Sequence, residues 1–378
     1  ATPSLESYYN CMKKKYEMLM LNERVFSRNM PNLELVDMSV TSEFKRFGFF
    51  FSSKLLNLIQ DRLNKKEKTI LFVNKRGYST CEICADCQKA IKCSQCSISM
   101  TYHKEDGHLI CHRCKTSIPP VKICPACKSK KMKFIGFGTE KVEKSIKKIF
   151  PNAEVARIDS DNARKKDFME NTWTKFINGK IDILVGTQMI AKGIHMEAVT
   201  LVSVLFADMT LNIPDFRSAE NTFQLITQVA GRAGRGEIPG KVIIQTNGID
   251  NPVLIQAMNL DYKSFYETEL KFRKDFFYPP FSRFIMVLVT NKKDSECAKT
   301  AHEFHSYILQ VKDLTETAKI YPPVPAPIAR IKASYRYHIL IATVNVKKTV
   351  RLLKSILDEK FPSKSTNFSL DIDPYSML

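Results

Sequence analysis

Eight of the eleven cysteines lie between positions 84 and 127, as four Cys-x-x-Cys pairs: Cys84/Cys87, Cys93/Cys96, Cys111/Cys114 and Cys124/Cys127. A two-residue gap lets one tight turn aim two thiolates at a single tetrahedral ion, and two such pairs complete a four-sulfur site. The segment therefore predicts two structural Zn2+. Closed four-sulfur sites leave no position open to substrate, so the metal is architectural rather than catalytic. Spacing alone does not fix which pairs share an ion. The 14-residue gap between Cys96 and Cys111 favours a nested arrangement. Its inner site is Cys93, Cys96, Cys111 and Cys114; its outer site is Cys84, Cys87, Cys124 and Cys127. His103, His108 and His112 lie nearby, but eight sulfurs already fill two sites, and solvated ribbon positions are the plainer reading for them. Four disulfides are the rival. Confinement of the pairs to one segment of a 378-residue chain, with no apolar leader, argues against them and for a reducing cytoplasm.

The formal net charge is +19, which favours polyanionic partners, nucleic acid first. The ribbon contributes less to this than it seems. Positions 81–133 hold ten Lys/Arg and four Asp/Glu, but each four-thiolate zinc site carries about two negative charges, so the local balance is close to neutral. A hydrophobic content of 44% supports real cores, and no apolar run approaches the length needed to span a bilayer, so no membrane is expected.

On either side of the cysteines, short apolar strands alternate with helices. A first helix, capped by Ser4 or Ser7, is predicted to run to about Leu21. A strand at Leu33–Met38, a helix at Lys54–Leu63 and a buried strand at Thr69–Asn74 follow. Beyond the cysteines come helix Thr139–Ile149, strand Glu154–Ile158, a helix around Lys165–Ile177 and strand Ile181–Gly186. Strand Val199–Phe206, helix Ser218–Ala230 and strand Gly240–Thr246 complete the run. This alternation predicts a parallel, doubly wound α/β sheet covered on both faces, with the cysteine segment looped out of it. Tyr278-Pro279-Pro280 marks a boundary. After it, strand Arg283–Thr290, helix Asp294–Val311, strands near Ile328–Lys332 and Tyr335–Val344, helix Lys347–Lys360 and strand Asn367–Ile372 follow. That β-α-β-β-α-β order predicts an α+β, ferredoxin-like domain. Tyr335-Arg336-Tyr337-His338 alternates aromatic and polar groups; it suits single-stranded DNA, or tyrosines packed on a sheet face.

Two segments carry the chemistry. In Ile183 to Gly193 a buried strand ends in Gly186, and Thr187 and Gln188 project from its carboxyl end, where ligands sit in open α/β sheets. In Gln228 to Arg235, residues Gln228, Arg232 and Arg235 share one helix face if the helix persists. Gly231 and Gly234 each cost about 1 kcal/mol relative to alanine there, which makes sense where another surface comes close. Two guanidinium groups aimed at a triphosphate would stabilise a transferring γ-phosphoryl group.

Taken together, the order of these segments resembles motifs V and VI of superfamily 2 helicases. The whole pattern is similar to one family, PriA, the primosomal replication-restart helicases. The residues that carry the likeness begin with Ala1-Thr2-Pro3-Ser4-Leu5-Glu6-Ser7, Leu71 to Tyr78 and the four cysteine pairs. They continue through Gly136-Phe137-Gly138-Thr139-Glu140, Arg157 to Asp161, Gly186 to Gly193, Asp215-Phe216-Arg217-Ser218-Ala219-Glu220 and Gln228 to Arg235. Tyr278-Pro279-Pro280-Phe281, Pro323-Val324-Pro325 and Leu370 to Pro374 close the set.

The resemblance implies a RecA-like helicase lobe 2 with an inserted binuclear zinc ribbon, followed by the ferredoxin-like domain. Residues 1–33 would be the tail of lobe 1, 34–80 and 131–275 lobe 2, 81–130 the zinc insertion and 276–378 the C-terminal domain. It also implies an ATP-driven 3′→5′ DNA helicase of the bacterial cytoplasm and nucleoid, acting on forked and single-stranded DNA. Single-stranded DNA-binding protein and primosome proteins would be its partners. The nested zinc pairing is that of the family. Arg232, Arg235 and Gln228 would face the nucleotide; Thr187, Gln188, Lys192 and, more weakly, Arg76 would couple to DNA. No Gly-x-x-x-x-Gly-Lys-[Ser/Thr] loop and no Asp-Glu-x-His occurs in the chain, so the parts that hold ATP and Mg2+ are missing. The fragment alone is expected to be inactive. The alternative is a non-enzymatic zinc-ribbon DNA-binding module with vestigial helicase motifs.

Overall fold

The structure, a computed structural model, describes residues 2–20, 31–39, 50–73, 80–87, 89–94, 99–103, 107–111, 116–135, 139–159, 167–187, 190, 199–212, 215–231, 240–331, 334–362 and 365–377. In chain order it opens with α1 (Leu5–Met12), β1 (Asn32–Asp37), α2 (Ser53–Asn64) and β2 (Lys68–Val73). The cysteine segment holds β3 (Thr80–Cys84), β4 (Thr101–His103), β5 (His108–Ile110), β6 (Ser117–Ile118) and β7 (Met132–Ile135). Then come α3 (Thr139–Ile149), β8 (Val155–Ile158), α4 (Phe168–Ile177), β9 (Ile183–Gly186), β10 (Val199–Leu205), α5 (Ala207–Leu211), α6 (Ser218–Ala230) and β11 (Lys241–Thr246). Helices α7 (Pro252–Met258) and α8 (Tyr262–Asp275) lead to the last unit. That unit comprises β12 (Arg283–Asn291), α9 (Asp294–Ile308), α10 (Lys312–Thr315), β13 (Ala318–Ile320), β14 (Val324–Ile331), β15 (Ser334–Thr343), α11 (Val346–Lys360) and β16 (Asn367–Ile372).

Six strands form one sheet in the order β1-β11-β10-β2-β9-β8, every pair parallel. The pleat sorts its residues. Ile70, Phe72, Leu184, Val242 and Ile244 face one layer, with Trp173 and Phe176 of α4, Phe223 and Ile226 of α6, and Phe265 of α8. Leu71, Val73, Ile183, Val185 and Ile243 face the other, with Leu55 and Ile59 of α2 and Val142 and Ile146 of α3. Strands apolar at every position can only be buried on both sides, hence the three layers. The cysteine segment forms its own antiparallel sheet, β6-β5-β4-β3-β7, inserted between β2 and α3.

In the C-terminal unit β15 lies between β12 and the pair β13/β14, and β16 flanks β12, all antiparallel. This is the split βαβ order the sequence predicts, with one difference. The second strand position is shared by β13, which pairs with residues 341–343 of β15, and β14, whose own register shifts between Pro325 and Arg330. Pro322, Pro323, Pro325 and Pro327 cannot donate to a ladder. Tyr337 is buried in the core of this unit and Tyr335 packs against it, so these rings serve the sheet face.

The first helix stops at Met12, well short of Leu21. Ser4 caps it, its hydroxyl accepting from the Ser7 amide at 3.0 Å. It ends on Lys13, and Lys14 takes a left-handed φ of +56°. Leu5 is buried in the core beside α6 and α8, so residues 2–12 pack on the six-stranded unit. Strand β1 pairs with β11 at the edge of that sheet.

Candidate functional site

Four of the eight paired cysteines meet. The sulfurs of Cys84, Cys87, Cys124 and Cys127 all lie within 4.8 Å of one another, with Cys84 to Cys127 at 3.5 Å and Cys87 to Cys124 at 3.6 Å. A tetrahedron with metal–sulfur bonds of about 2.3 Å has edges of roughly 3.8 Å, so the donor set fits Zn2+. Local backbone builds it. Cys84 ends β3, and its amide donates to Lys89 O at 3.0 Å. On the other side, Cys124 N donates to Ser129 O at 2.8 Å and Lys128 N to Cys124 O at 2.9 Å. Lys128 there adopts φ +61°, the sharp turn that brings Cys127 back. Burial pushes the Cys84 thiol up, but the amides of Cys87 and Asp86 and the neighbouring sulfurs outweigh it and bring it down to about 7. Burial drives Cys87 up to about 12. Thiols held this close cannot all ionise without a cation.

Of the inner set, Cys93 and Cys111 are buried in one small core with Ile91, Met100 and Leu109. Cys96 and Cys114 lie outside the described residues, as does His112; His108 is exposed on β5. Cys81, a ninth cysteine beside the four pairs, is buried on β3, where burial and nearby Asp208 push its thiol up to about 12. Cys297 is buried in the C-terminal core, and Cys11 is half-buried.

The ribbon is seated on the six-stranded unit. Ser99 N donates to Asn212 Oδ1 at 3.1 Å, just past α5. Asp208 of α5 accepts from Thr246 Oγ1 and from Asn247 N, each at 2.6 Å. Burial pushes its carboxyl up, and ribbon Lys92 is close enough to oppose that. Strand β4 also approaches β14 of the C-terminal unit.

At the carboxyl edge of the sheet, a Cβ on Gly186 would lie 2.4 Å from Ile158 O and 3.0 Å from the Ile190 side chain. Only glycine lets β9 end this close to β8. Thr187 N reaches Ile158 O at 3.4 Å, and Thr187 itself is nearly covered. Beside it Asp159 is buried, accepts from Thr139 Oγ1 at 2.7 Å and pairs with Arg157 at 3.1 Å. That Thr139–Asp159 link pins the start of α3 to the end of β8. Sequence reasoning quoted both segments but gave neither residue a role; the partners are twenty residues apart and nothing local joins them.

Gln228 is exposed on the last turn of α6, and Gly231 caps the helix with φ −70°. An added Cβ on Gly231 would meet nothing nearer than Gln228 O at 3.4 Å, so among the described residues no surface crowds it. Arg232, Arg235, Gln188, Lys192 and Arg76 lie outside the described residues. Among those described, no helix is long and apolar enough to cross a membrane.

Three family models match: the PriA DNA helicase cysteine-rich region over residues 93–119, the helicase conserved C-terminal domain over 121–237, and the primosomal protein N C-terminal domain over 274–375. The replication restart protein PriA of Bacillus subtilis (strain 168) is 43% identical over 383 residues, covering 100% of this chain and 47% of that protein. PriA of Chlamydia trachomatis serovar D is 38% identical over 376 residues, covering 99% of this chain and 50% of its own. The chain thus spans about half the length of the curated relatives it matches. Among solved structures, RecG bound to a three-way DNA junction aligns with a TM-score of 0.39 at 11% identity, covering 72% of this chain and 26% of that one. A score so low adds nothing to the fold assignment made above.

Proposed function

The chain belongs to the PriA family of replication restart proteins, and on that premise we propose that it works as the second lobe, zinc ribbon and C-terminal domain of an ATP-dependent 3′→5′ DNA helicase. Its substrate would be forked DNA in the bacterial cytoplasm, where it would start primosome assembly. What supports this most is the four-sulfur cluster inserted between β2 and α3 of a six-stranded parallel lobe. That combination joins metal-stapled DNA engagement to a motor-type sheet in one chain.

In this reading Cys84, Cys87, Cys124 and Cys127 hold one Zn2+, and Cys93, Cys96, Cys111 and Cys114 hold a second. The metals supply rigidity and no step of the reaction. Helix α6 carries Gln228 at its exposed end, and Arg232 and Arg235 follow its cap. They would meet the γ-phosphate of ATP held with Mg2+ by a neighbouring lobe whose phosphate loop this sequence does not contain. Positive charge there stabilises the transferring phosphoryl group and is withdrawn when the lobes part. The carboxyl edge at Gly186 and Thr187, with Gln188, Lys192 and Arg76, would grip the DNA backbone and shift with each closure. Single-stranded DNA-binding protein and primosome components are the protein partners this role calls for.

The experiment is Arg232→Ala in the full-length protein. DNA-stimulated ATP hydrolysis should fall by on the order of 10³, while fork binding stays near the parent level. Hydrolysis at the parent rate would remove the arginine from the nucleotide site.

A further inference from the structure

Residues 215–220 touch four separate parts of the chain, and the centre of that contact is one fully buried guanidinium. Arg273, on α8, is 0% exposed. Its Nη2 donates to Glu220 Oε2 at 2.8 Å, its Nε lies 3.4 Å from Glu269, and its Nη1 lies 3.5 Å from Glu6 and 3.3 Å from Pro279 O. Glu220, in the first turn of α6, also accepts the Leu5 amide at 3.1 Å. Arg217 reaches Glu6 at 3.1 Å and the carbonyls of Pro374 and Tyr375 at 3.2 and 3.4 Å. Asp215 accepts from Met377 N at 3.1 Å. Between them, Phe216 stacks edge-on to Phe284 of β12 at 5.0 Å, with the Arg217 and Arg273 guanidinium groups over its ring at 4.2 and 5.3 Å. One short segment thus joins residues 2–12, α8, the C-terminal sheet and the closing tail to the start of α6.

Charge explains why the joint is specific. A buried arginine is tolerated only when its donors are met, and removing one partner strands the rest. Glu269 and Glu220 belong to the six-stranded unit and its connecting helix. Glu6 comes from the N-terminal segment, so its carboxylate reaches Arg217 and Arg273 only when α1 is seated. The joint therefore closes when three parts of the chain are together.

We propose that Arg273 is a positioning residue: it fixes the first turn of α6 to the C-terminal domain and to residues 2–12, so that these move as one body and set the direction of α6, whose last turn carries Gln228. This rests on the nucleotide-facing reading of Arg232 for its catalytic consequence, but not for the mechanical tie.

The test compares Arg273→Lys and Glu6→Gln with the parent in the full-length protein. Lysine keeps the charge but cannot span three carboxylates. Amide exchange should quicken about tenfold in residues 218–231 and equally in 375–377, the loss of one charge-assisted hydrogen bond, while β9 exchanges as before. The kcat of DNA-stimulated ATP hydrolysis should fall about tenfold with KM for ATP unchanged, the same loss felt only in the closed state. Glu6→Gln should give the same pattern more weakly. Parent-level exchange in both segments, or a response confined to 218–231, would overturn the tie. If Arg232→Ala leaves hydrolysis intact while Arg273→Lys still loosens both segments together, the nucleotide reading fails and the joint stands.

Discussion

Replacing Gly186 by alanine tests how tightly the end of β9 is built. The new Cβ would sit 2.4 Å from Ile158 O and 3.0 and 3.1 Å from two carbons of Ile190. The isoleucine can turn away. The carbonyl cannot, because residues 155–158 are paired in register with 183–186 and the same oxygen receives Thr187 N. Relief therefore requires β8 and β9 to part at their carboxyl ends. Overpacking of this kind costs about 1–3 kcal/mol, and the lost backbone bond about 1 more, so the variant should be destabilised by roughly 2–4 kcal/mol.

The chain carries its own reporter. Its single tryptophan, Trp173, is buried beside Phe176 against the same sheet, and the ribbon and C-terminal unit have none. Tryptophan fluorescence against urea thus reads the six-stranded unit alone. With a slope of about 2–3 kcal/mol/M, the Gly186→Ala midpoint should drop by about 1 M. Gly231→Ala is the control. It has a helical φ and no contact under 3.4 Å, so the lower entropy of the unfolded chain should stabilise it by about 0.4–1 kcal/mol and raise its midpoint slightly. An unchanged Gly186→Ala midpoint, or equal losses in the two variants, would refute the reasoning from close approach.

Metal analysis of the purified chain should give about two Zn2+, and Cys124→Ser should remove one equivalent while the Trp173 transition survives, since the ribbon is a separate sheet. A variant still carrying both metals would exclude Cys124 as a ligand. Asp208→Asn should change a pH slope. Burial raises the Asp208 carboxyl above 3.8 in the folded state, so its contribution is whole below that pH and is lost as pH climbs through the folded value. The midpoint difference between variant and parent should accordingly shift in favour of asparagine from about pH 4 to pH 7, and a difference constant across that range would contradict it.

What the sequence disclosed follows from how far apart the determinants lie. Two cysteines separated by two residues define a turn on their own, and Cys84, Cys87, Cys124 and Cys127 converge because β3 and β7 pair Cys84 with Met132. Strands such as Thr-Ile-Leu-Phe-Val are apolar at successive positions, which only a doubly covered sheet accommodates, so the three layers were legible as well. Helix α1 was overextended because its apolar residues continue to Leu21, whereas the backbone turns at Lys14. Helices α7 and α8 were not foreseen. Tyr262, Phe265, Tyr266 and Arg273 do share a helical face, but that face is only partly apolar, and its burial depends on α1 and α6 lying above it.

The Arg273 joint shows where reading by spacing ends. Along the chain Glu269 and Arg273 look like an ordinary i,i+4 pair on a solvated helix, worth a few tenths of a kcal/mol. In the fold the same arginine is sealed from water, and its other partners come from 53 and 267 residues away. Charge pattern alone could not distinguish these cases, because an exposed pair and a buried one use the same letters at the same interval. The distinction lies in Phe216, whose ring lies 5.3 Å from the guanidinium, and in Leu5 and Tyr278, which are buried once three distant segments meet. A motif conveys chemistry when its members are neighbours in sequence. Coupling between domains is carried by residues that become neighbours only through the fold, and for this chain that means the start of α6.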